Sequence, residues 1–106
     1  MKYDVILETT AVLDLYSIMD YITHVLKAPD AARRVALSIE DEIMALDSMP
    51  LRHRIVADEP YATYGVRLMP VENYTVFYIV DEVKWQVHVL RVLYSRRNWR
   101  AILFAD

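Results

Sequence analysis

The last third of the chain concentrates side chains that can grip a charged partner. An arginine guanidinium is a planar fork that binds a phosphate or a carboxylate through two hydrogen bonds. Arginine, tyrosine and tryptophan are also the residues that most often supply the binding energy of protein interfaces. We predict that the segment 91–100 contacts a target through six such side chains: Arg91, Tyr94, Arg96, Arg97, Trp99 and Arg100.

The same kind of residue suits a second chemistry, the cleavage of a phosphodiester. In that reaction a 2′-hydroxyl loses its proton, the charge around phosphorus is neutralised and the leaving oxygen is protonated. Arginine is a poor base, but it binds phosphate and stabilises developing charge. Tyr94 offers a phenol or a stacking ring, and His53 is the only histidine in the central loop. If the protein is an enzyme, its candidate catalytic residues are Arg67, Tyr94, Arg96 and Arg97.

The distribution of charge limits what this segment can bind. The chain has a net charge of −3 and a pI of about 5.5, and residues 1–50 carry four basic and nine acidic side chains. Residues 51–106 carry eight and six, and the three lysines (Lys2, Lys27 and Lys84) are remote in sequence from Arg67 and Arg96. A protein that follows RNA needs a broad positive field. The pattern favours a local basic patch that grips a protein or one phosphate.

Several classes of protein are excluded by what the sequence lacks. It has no cysteine and one glycine, so a disulfide framework and a glycine-rich nucleotide loop are ruled out. The spacing of the three histidines, His24, His53 and His88, does not match a metal motif, and we expect neither a metal nor a cofactor. The first ten residues lack the long apolar stretch of a signal peptide, and no apolar run is long enough to span a membrane, so we expect neither. We expect a soluble cytoplasmic protein with one domain, residues 1–106.

The first half of the chain has the periodicity of a strand followed by two helices. Residues 2–8 alternate as in a strand, and Thr9 or Thr10 is the expected N-cap of a helix of about four turns that ends before Pro29. A second helix extends to about Ser48, with a buried stripe spaced by three or four residues. Two helices with so short a connection predict an antiparallel hairpin.

The second half has the composition of a β-meander. Residues 51–63 show no period and predict a loop, and three strands follow at 64–69, 74–80 and 85–94. In the third strand we expect Val87, Val89 and Arg91 to share one face. Residues 99–104 predict a final helical turn. The predicted fold class is α+β: an N-terminal strand, a two-helix hairpin, then a three-stranded antiparallel meander, with the hairpin on one face of the sheet.

Several segments, taken in order, resemble a known family. The Asp20-Tyr21-Ile22 and Ala31-Ala32-Arg33-Arg34 stretches match its helical hairpin, and the rest of the pattern is Gly65-Val66-Arg67, Asn73-Tyr74 opening an apolar strand, and Val89 to Arg97 ending in paired arginines. Residues 3–100 thereby resemble the RelE/ParE superfamily, the toxins of type II toxin–antitoxin systems. The resemblance implies a growth-arresting toxin and a fold that agrees with the predicted layout. It also implies a cognate antitoxin, docked on an exposed apolar groove in a toxin–antitoxin hetero-oligomer.

The superfamily contains two kinds of activity. ParE-like members inhibit DNA gyrase, whereas RelE-like members cut mRNA on the translating ribosome. The scarcity of lysine and the acidic pI favour gyrase inhibition here, and ribosome-dependent mRNA cleavage is the alternative. Two other roles remain open for the arginines: Arg67 could pair with Glu72 or Asp81, and Arg96 and Arg97 could contact an acidic antitoxin tail.

Overall fold

The computed structural model describes residues 2–103 and contains four strands and three α-helices. The first α-helix continues directly into a π-helical turn, Tyr21–Val25, and the second is followed by short 3-10 turns. None of the helices in the described residues is long and apolar enough to cross a membrane. In chain order the elements are β1 Asp4–Leu7, α1 Thr9–Asp20, α2 Pro29–Met44, β2 Arg67–Val71, β3 Tyr74–Asp81, β4 Gln86–Tyr94 and α3 Trp99–Ile102.

The four strands form one sheet in the order β1-β4-β3-β2. The meander β2-β3-β4 is antiparallel, and β1 pairs in parallel with β4, from Asp4 opposite Gln86 to Leu7 opposite Val89. The N-terminal strand therefore lies beside the last one and the helical hairpin connects it to the meander. The predicted α+β class and order of elements are confirmed.

The helical hairpin covers one face of the sheet. Val35, Ile39 and Ile43 of α2 are buried at intervals of four residues and pack with the sheet residues Val76 and Val87 in the main core. Burying a side chain of this size contributes about 1.5–3 kcal/mol to folding. Because this stripe makes the hairpin adhere to the sheet, the opposite side of the helices is left facing solvent.

The other face of the sheet has a smaller core of its own. Phe77 and Leu93 are buried there. They lie beneath Val56 and Val66 of the long loop that precedes β2 (residues 53–66) and beneath Leu103 after α3. The loop without periodicity thus covers the second face of the sheet. Its apolar residues show no helix or strand period because turns position them. The predicted final helical turn is present as α3, and its predicted last residue, Phe104, lies outside the described residues.

A β-bulge changes the face presented by the end of β4. The pairing shifts between Phe77, which lies opposite Arg91, and Tyr78, which lies opposite Val89, so Leu90 has no direct partner. The inserted residue breaks the strict alternation. Val92 therefore joins Val87 and Val89 in the main core, and the expectation that Arg91 continues that face is wrong.

Two local predictions also need correction. The second strand begins at Arg67, not at residue 64, and includes Pro70, which an edge strand tolerates because one side of its backbone needs no ladder hydrogen bond. The N-cap of α1 is Glu8 and no side chain caps it. Thr10 instead donates its hydroxyl to the Leu90 carbonyl oxygen, 2.7 Å away.

Candidate functional site

Arg91 lies inside the fold, in an ion pair with α1. Its Nε and Nη2 donate to the two carboxylate oxygens of Asp14 at 2.8 and 2.9 Å, and its Nη1 donates to the Ile102 carbonyl oxygen at 3.1 Å. The two side chains are only 15% and 13% exposed. The hydrogen bonds that Arg91 donates to Asp14 raise the pKa of Arg91 above its ordinary value, against the effect of burial. This predicted target-binding residue is therefore engaged internally.

Arg67 holds the central loop. Its Nη1 donates to the backbone oxygens of Leu51 and His53, at 3.1 and 2.6 Å. Neither acid considered for it in the sequence is its partner, since Glu72 accepts from Arg34 at 2.7 Å and Asp81 accepts from the amides of its own turn. These two expected pairings are wrong because the loop offers closer acceptors to the strand's first residue.

The sheet register separates Arg67 from the other candidate catalytic residues. Arg67 lies opposite Tyr78, whereas Tyr94 lies opposite Tyr74 at the other end of β3. Four residues along a strand correspond to roughly 13 Å. The predicted set of Arg67, Tyr94, Arg96 and Arg97 is thus not brought together in one place.

The turn after β4 presents a tyrosine and two arginines to solvent. Tyr94 is 43% exposed and lies edge-on to Tyr74, with ring centroids 5.9 Å apart. Arg96 and Arg97 are exposed, and within residues 2–103 neither makes an ion pair or a side-chain hydrogen bond. These three residues, which we call the exposed arginine turn, have unsatisfied donors and an accessible ring.

The backbone of this turn is nevertheless well held. The Ser95 amide donates to the Asn73 carbonyl oxygen at 2.9 Å, and the Arg97 amide donates to the Tyr94 carbonyl oxygen at 3.0 Å. The hydroxyls of Ser95 and Thr75 are hydrogen bonded to each other at 2.8 Å. Because the backbone of the turn is already ordered, binding a partner there would cost mainly the conformational entropy of the exposed side chains.

Trp99 and Arg100 attach the C-terminal helix to the second face. Trp99 is half-buried against Phe77, with ring centroids 5.1 Å apart, and the Arg100 guanidinium lies 4.2 Å from the centre of the Trp99 ring. Arg100 also pairs with Asp58 of the long loop. Their hydrogen bond lowers the pKa of Asp58 and raises that of Arg100. Both predicted target-binding residues therefore have structural contacts, although Arg100 remains exposed.

His53 is not placed where it could act as a base at the exposed arginine turn. Its ring lies edge-on to Tyr78, with centroids 6.3 Å apart, at the Arg67 end of the sheet. Its Nε2 is buried and has no hydrogen-bond partner among the described residues. Burial lowers the pKa of His53, and Arg52 and Arg67 lower it further while Glu42 opposes them. Within residues 2–103 no group of three or more acidic, histidine or cysteine side chains could hold a metal.

Tyr21 is a residue near this surface that the sequence pattern did not single out. Burial raises the pKa of the Tyr74 phenol, and the neighbouring Tyr94 and Tyr21 phenols raise it further, so Tyr21 lies near the same end of β3. Tyr21 is the first residue of the π-helical turn and is exposed. Turns of this type are frequent at functional sites. A helical periodicity does not distinguish them, and the only available signal was the Asp20-Tyr21-Ile22 segment of the resemblance.

Comparisons with known proteins agree with this architecture. Residues 5–99 match the family model described as the ParE toxin of the type II toxin–antitoxin system parDE. Among curated proteins, none matches the chain by sequence.

Solved structures of toxins share the fold at low sequence identity. The chain is similar to a chain of the chromosomal ParDE system from P. aeruginosa, with a TM-score of 0.71 and 21% identity over 88% of this chain and 96% of that one. It is similar to a chain of the RelBE2 toxin–antitoxin complex from Mycobacterium tuberculosis, with a TM-score of 0.68 and 22% identity over 89% and 99%. A mutant of E. coli RelE in the free state gives 0.65 and 14% over 97% and 94%.

The family match extends over nearly the whole chain, and the order of strands and helices is that of the structures above. The resemblance noted in the sequence is thereby confirmed. The chain belongs to the ParE toxin family and is the toxin of a type II toxin–antitoxin system.

Proposed function

We propose that this toxin arrests bacterial growth by binding DNA gyrase through the exposed arginine turn. The observation that carries the proposal is a pair of exposed arginines, Arg96 and Arg97, whose guanidinium groups have no partner within residues 2–103, next in the chain to the accessible ring of Tyr94. Fully charged donors on an ordered turn suit an acidic protein surface, on which each guanidinium can bind a carboxylate through two hydrogen bonds. Arginine and tyrosine are also the commonest hot-spot residues of such contacts.

Three features favour binding over RNA cleavage. Arg67 is tied to the central loop, and its register position lies roughly 13 Å from that of Tyr94 along the sheet. His53 lies at the Arg67 end, half-buried and with its Nε2 shielded from water. The net charge of −3, with three lysines in the chain, does not supply the broad positive field that favours association with RNA. The remaining side chains can grip a partner, but they lack a positioned base.

Ribosome-dependent mRNA cleavage is the second candidate, and one observation favours it. The Tyr74 and Tyr94 rings lie edge-on to each other, and the exposed Arg96 and Arg97 follow Tyr94 in the turn. Aromatic rings next to arginines suit a base that stacks while a phosphate is bound. In that case Tyr94 would act as the acid or as the stacking ring, with Arg96 and Arg97 on the phosphate.

We also propose a cognate antitoxin as the partner of the helical hairpin. Large apolar side chains are exposed on its solvent side, namely Leu13, Tyr16 and Met19 of α1 and Leu37 and Met44 of α2. Contiguous exposed apolar side chains mark interaction surfaces, and those of α1 follow one another at a spacing of three residues, which places them on one side of the helix. The solved relatives are described as toxin–antitoxin systems or complexes. We propose that both proteins form a hetero-oligomer in the cytoplasm, where gyrase and ribosomes operate.

The test begins with expression of the chain alone, which should stop bacterial growth, while co-expression with the antitoxin gene should restore it. Purified toxin is then added to gyrase with relaxed plasmid and, separately, to a translation reaction with a defined mRNA. We expect supercoiling to be blocked and the mRNA to stay intact. Cleavage of mRNA that depends on ribosomes, with normal supercoiling, would replace the gyrase proposal by the second candidate.

A further inference from the structure

The outer edge of β4 loses its strand partner halfway along. β1 ends at Leu7, opposite Val89, whereas β4 continues to Tyr94. Backbone groups on an exposed strand edge are unpaired and the edge is consequently less restrained. This stretch also contains the bulge at Leu90, where the ladder with β3 is irregular. The residues that lead into the exposed arginine turn therefore need another support.

Helix α1 supplies the missing partners one after another. The Glu8 amide at its N-cap donates to the Val89 carbonyl oxygen at 2.9 Å, and the Thr10 hydroxyl donates to that of Leu90 at 2.7 Å. One turn further along the helix, the Asp14 Oδ2 accepts the Val92 amide at 2.9 Å. Side chains of α1 thus continue the ladder where β1 ends.

Asp14 makes the strongest of these contacts because it is charged. Its two oxygens also receive the Arg91 guanidinium in a bidentate pair, and Arg91 reaches on to the Ile102 carbonyl oxygen at the end of α3. Charge-assisted bonds in a site this well shielded from water are stronger and more directional than neutral ones. One carboxylate consequently joins α1, β4 and α3 just two residues before Tyr94.

We propose that Asp14 is a positioning residue of the toxin, which acts through Arg91 and Val92 to fix the direction in which the exposed arginine turn leaves the sheet. This inference rests on the proposed function of that turn. The Ser95 and Arg97 amides, both hydrogen bonded in the turn, report on its order independently of any target. Asp14 itself is 13% exposed, and its two carboxylate oxygens are occupied by Arg91 and the Val92 amide.

The test compares Asp14→Asn with Ile39→Val, a variant of the main core that lowers stability without changing any group in the hydrogen bonds of Asp14 with Arg91 and Val92. Amide hydrogen exchange is measured at Ser95 and Arg97, together with gyrase inhibition and the midpoint of thermal unfolding. We expect the asparagine variant to speed exchange at both amides by about tenfold and to weaken inhibition by a similar factor. Ile39→Val should leave exchange at the two amides and inhibition close to those of the wild type.

Unchanged exchange at Ser95 and Arg97 in Asp14→Asn would overturn the proposal. So would a loss of inhibition no greater than that of Ile39→Val at an equal shift of the unfolding midpoint. If the wild-type toxin does not inhibit gyrase, the proposed function fails, while the exchange comparison still decides the positioning role. Should Asp14→Asn not fold, Asp14→Glu takes its place, because it keeps the charge and displaces the carboxylate by one methylene.

Discussion

The strand that ends at Tyr94 and the turn that follows it use the same residue type in opposite ways. Arg91 is paired with a carboxylate and shielded from water, whereas Arg96 and Arg97, five and six residues later, have no partner within residues 2–103. The partner of Arg91 comes from α1, 77 residues away in sequence. Within one cluster, an arginine is structural where the distant helix α1 supplies a carboxylate, and it is available to a target where no such group is supplied.

The largest loss of stability is expected for Arg91, the structural arginine of the cluster. Arg91→Ala leaves the Asp14 carboxylate shielded and unpaired and removes the bond to Ile102, so we expect a loss of about 3 kcal/mol in the free energy of unfolding. Denaturant titration of the purified protein measures it. A variant as stable as the wild type would mean that Arg91 is no more engaged than Arg96.

A smaller loss is expected at Trp99, which extends the comparison to α3. Trp99→Ala removes the ring that packs on Phe77 and with it part of the cover of the second face. Because the side chain is half-buried, we expect a loss of about 2 kcal/mol. Trp99→Phe is the matched control and should retain most of the stability in the same denaturant titration. If both variants were as stable as the wild type, Trp99 would not be a structural residue and would belong with the exposed Arg96 and Arg97.

The smallest effect on stability that we expect to resolve concerns pH and His53. Its pKa is lowered from the ordinary 6.5, so below that pH the unfolded chain binds more protons than the folded one. Stability should therefore fall as the pH is lowered through 6.5 towards the folded pKa. In His53→Phe this part of the slope should disappear when unfolding is measured from pH 7.5 to 5. Parallel profiles of the two proteins would show that His53 does not contribute.

The helices and strands were predictable because their apolar residues repeat with the period of a helix or have the composition of a strand. Ile39 and Ile43 mark a helix stripe, and the run from Tyr74 to Val80 has the composition of a strand, whatever the rest of the chain does. The bulge was not predictable, because Leu90 is as apolar as its neighbours and nothing local identifies it as the residue without a partner.

The candidate site was predictable in composition but not in arrangement. The sequence identifies the arginines and Tyr94. Whether an arginine is free to bind a target depends on its partners in the fold, which are Asp14 for Arg91 and backbone oxygens of the central loop for Arg67. Such pairings are set by tertiary structure over long separations. Tyr21 was missed for the same reason, since the π-helical turn has no sequence period of its own.

The central claim is that Arg96 and Arg97 are the residues with which the toxin engages gyrase. Its most direct test is an ATP-dependent supercoiling assay with purified gyrase, titrated with the wild type, the double variant Arg96→Ala/Arg97→Ala and the control Arg33→Ala. The double variant should unfold within about 0.5 kcal/mol of the wild type, because both side chains are exposed and make no ion pair with any residue between 2 and 103. It should need at least about thirtyfold more protein for half inhibition, whereas Arg33→Ala should match the wild type. Equal inhibition by the double variant and the wild type would contradict the account.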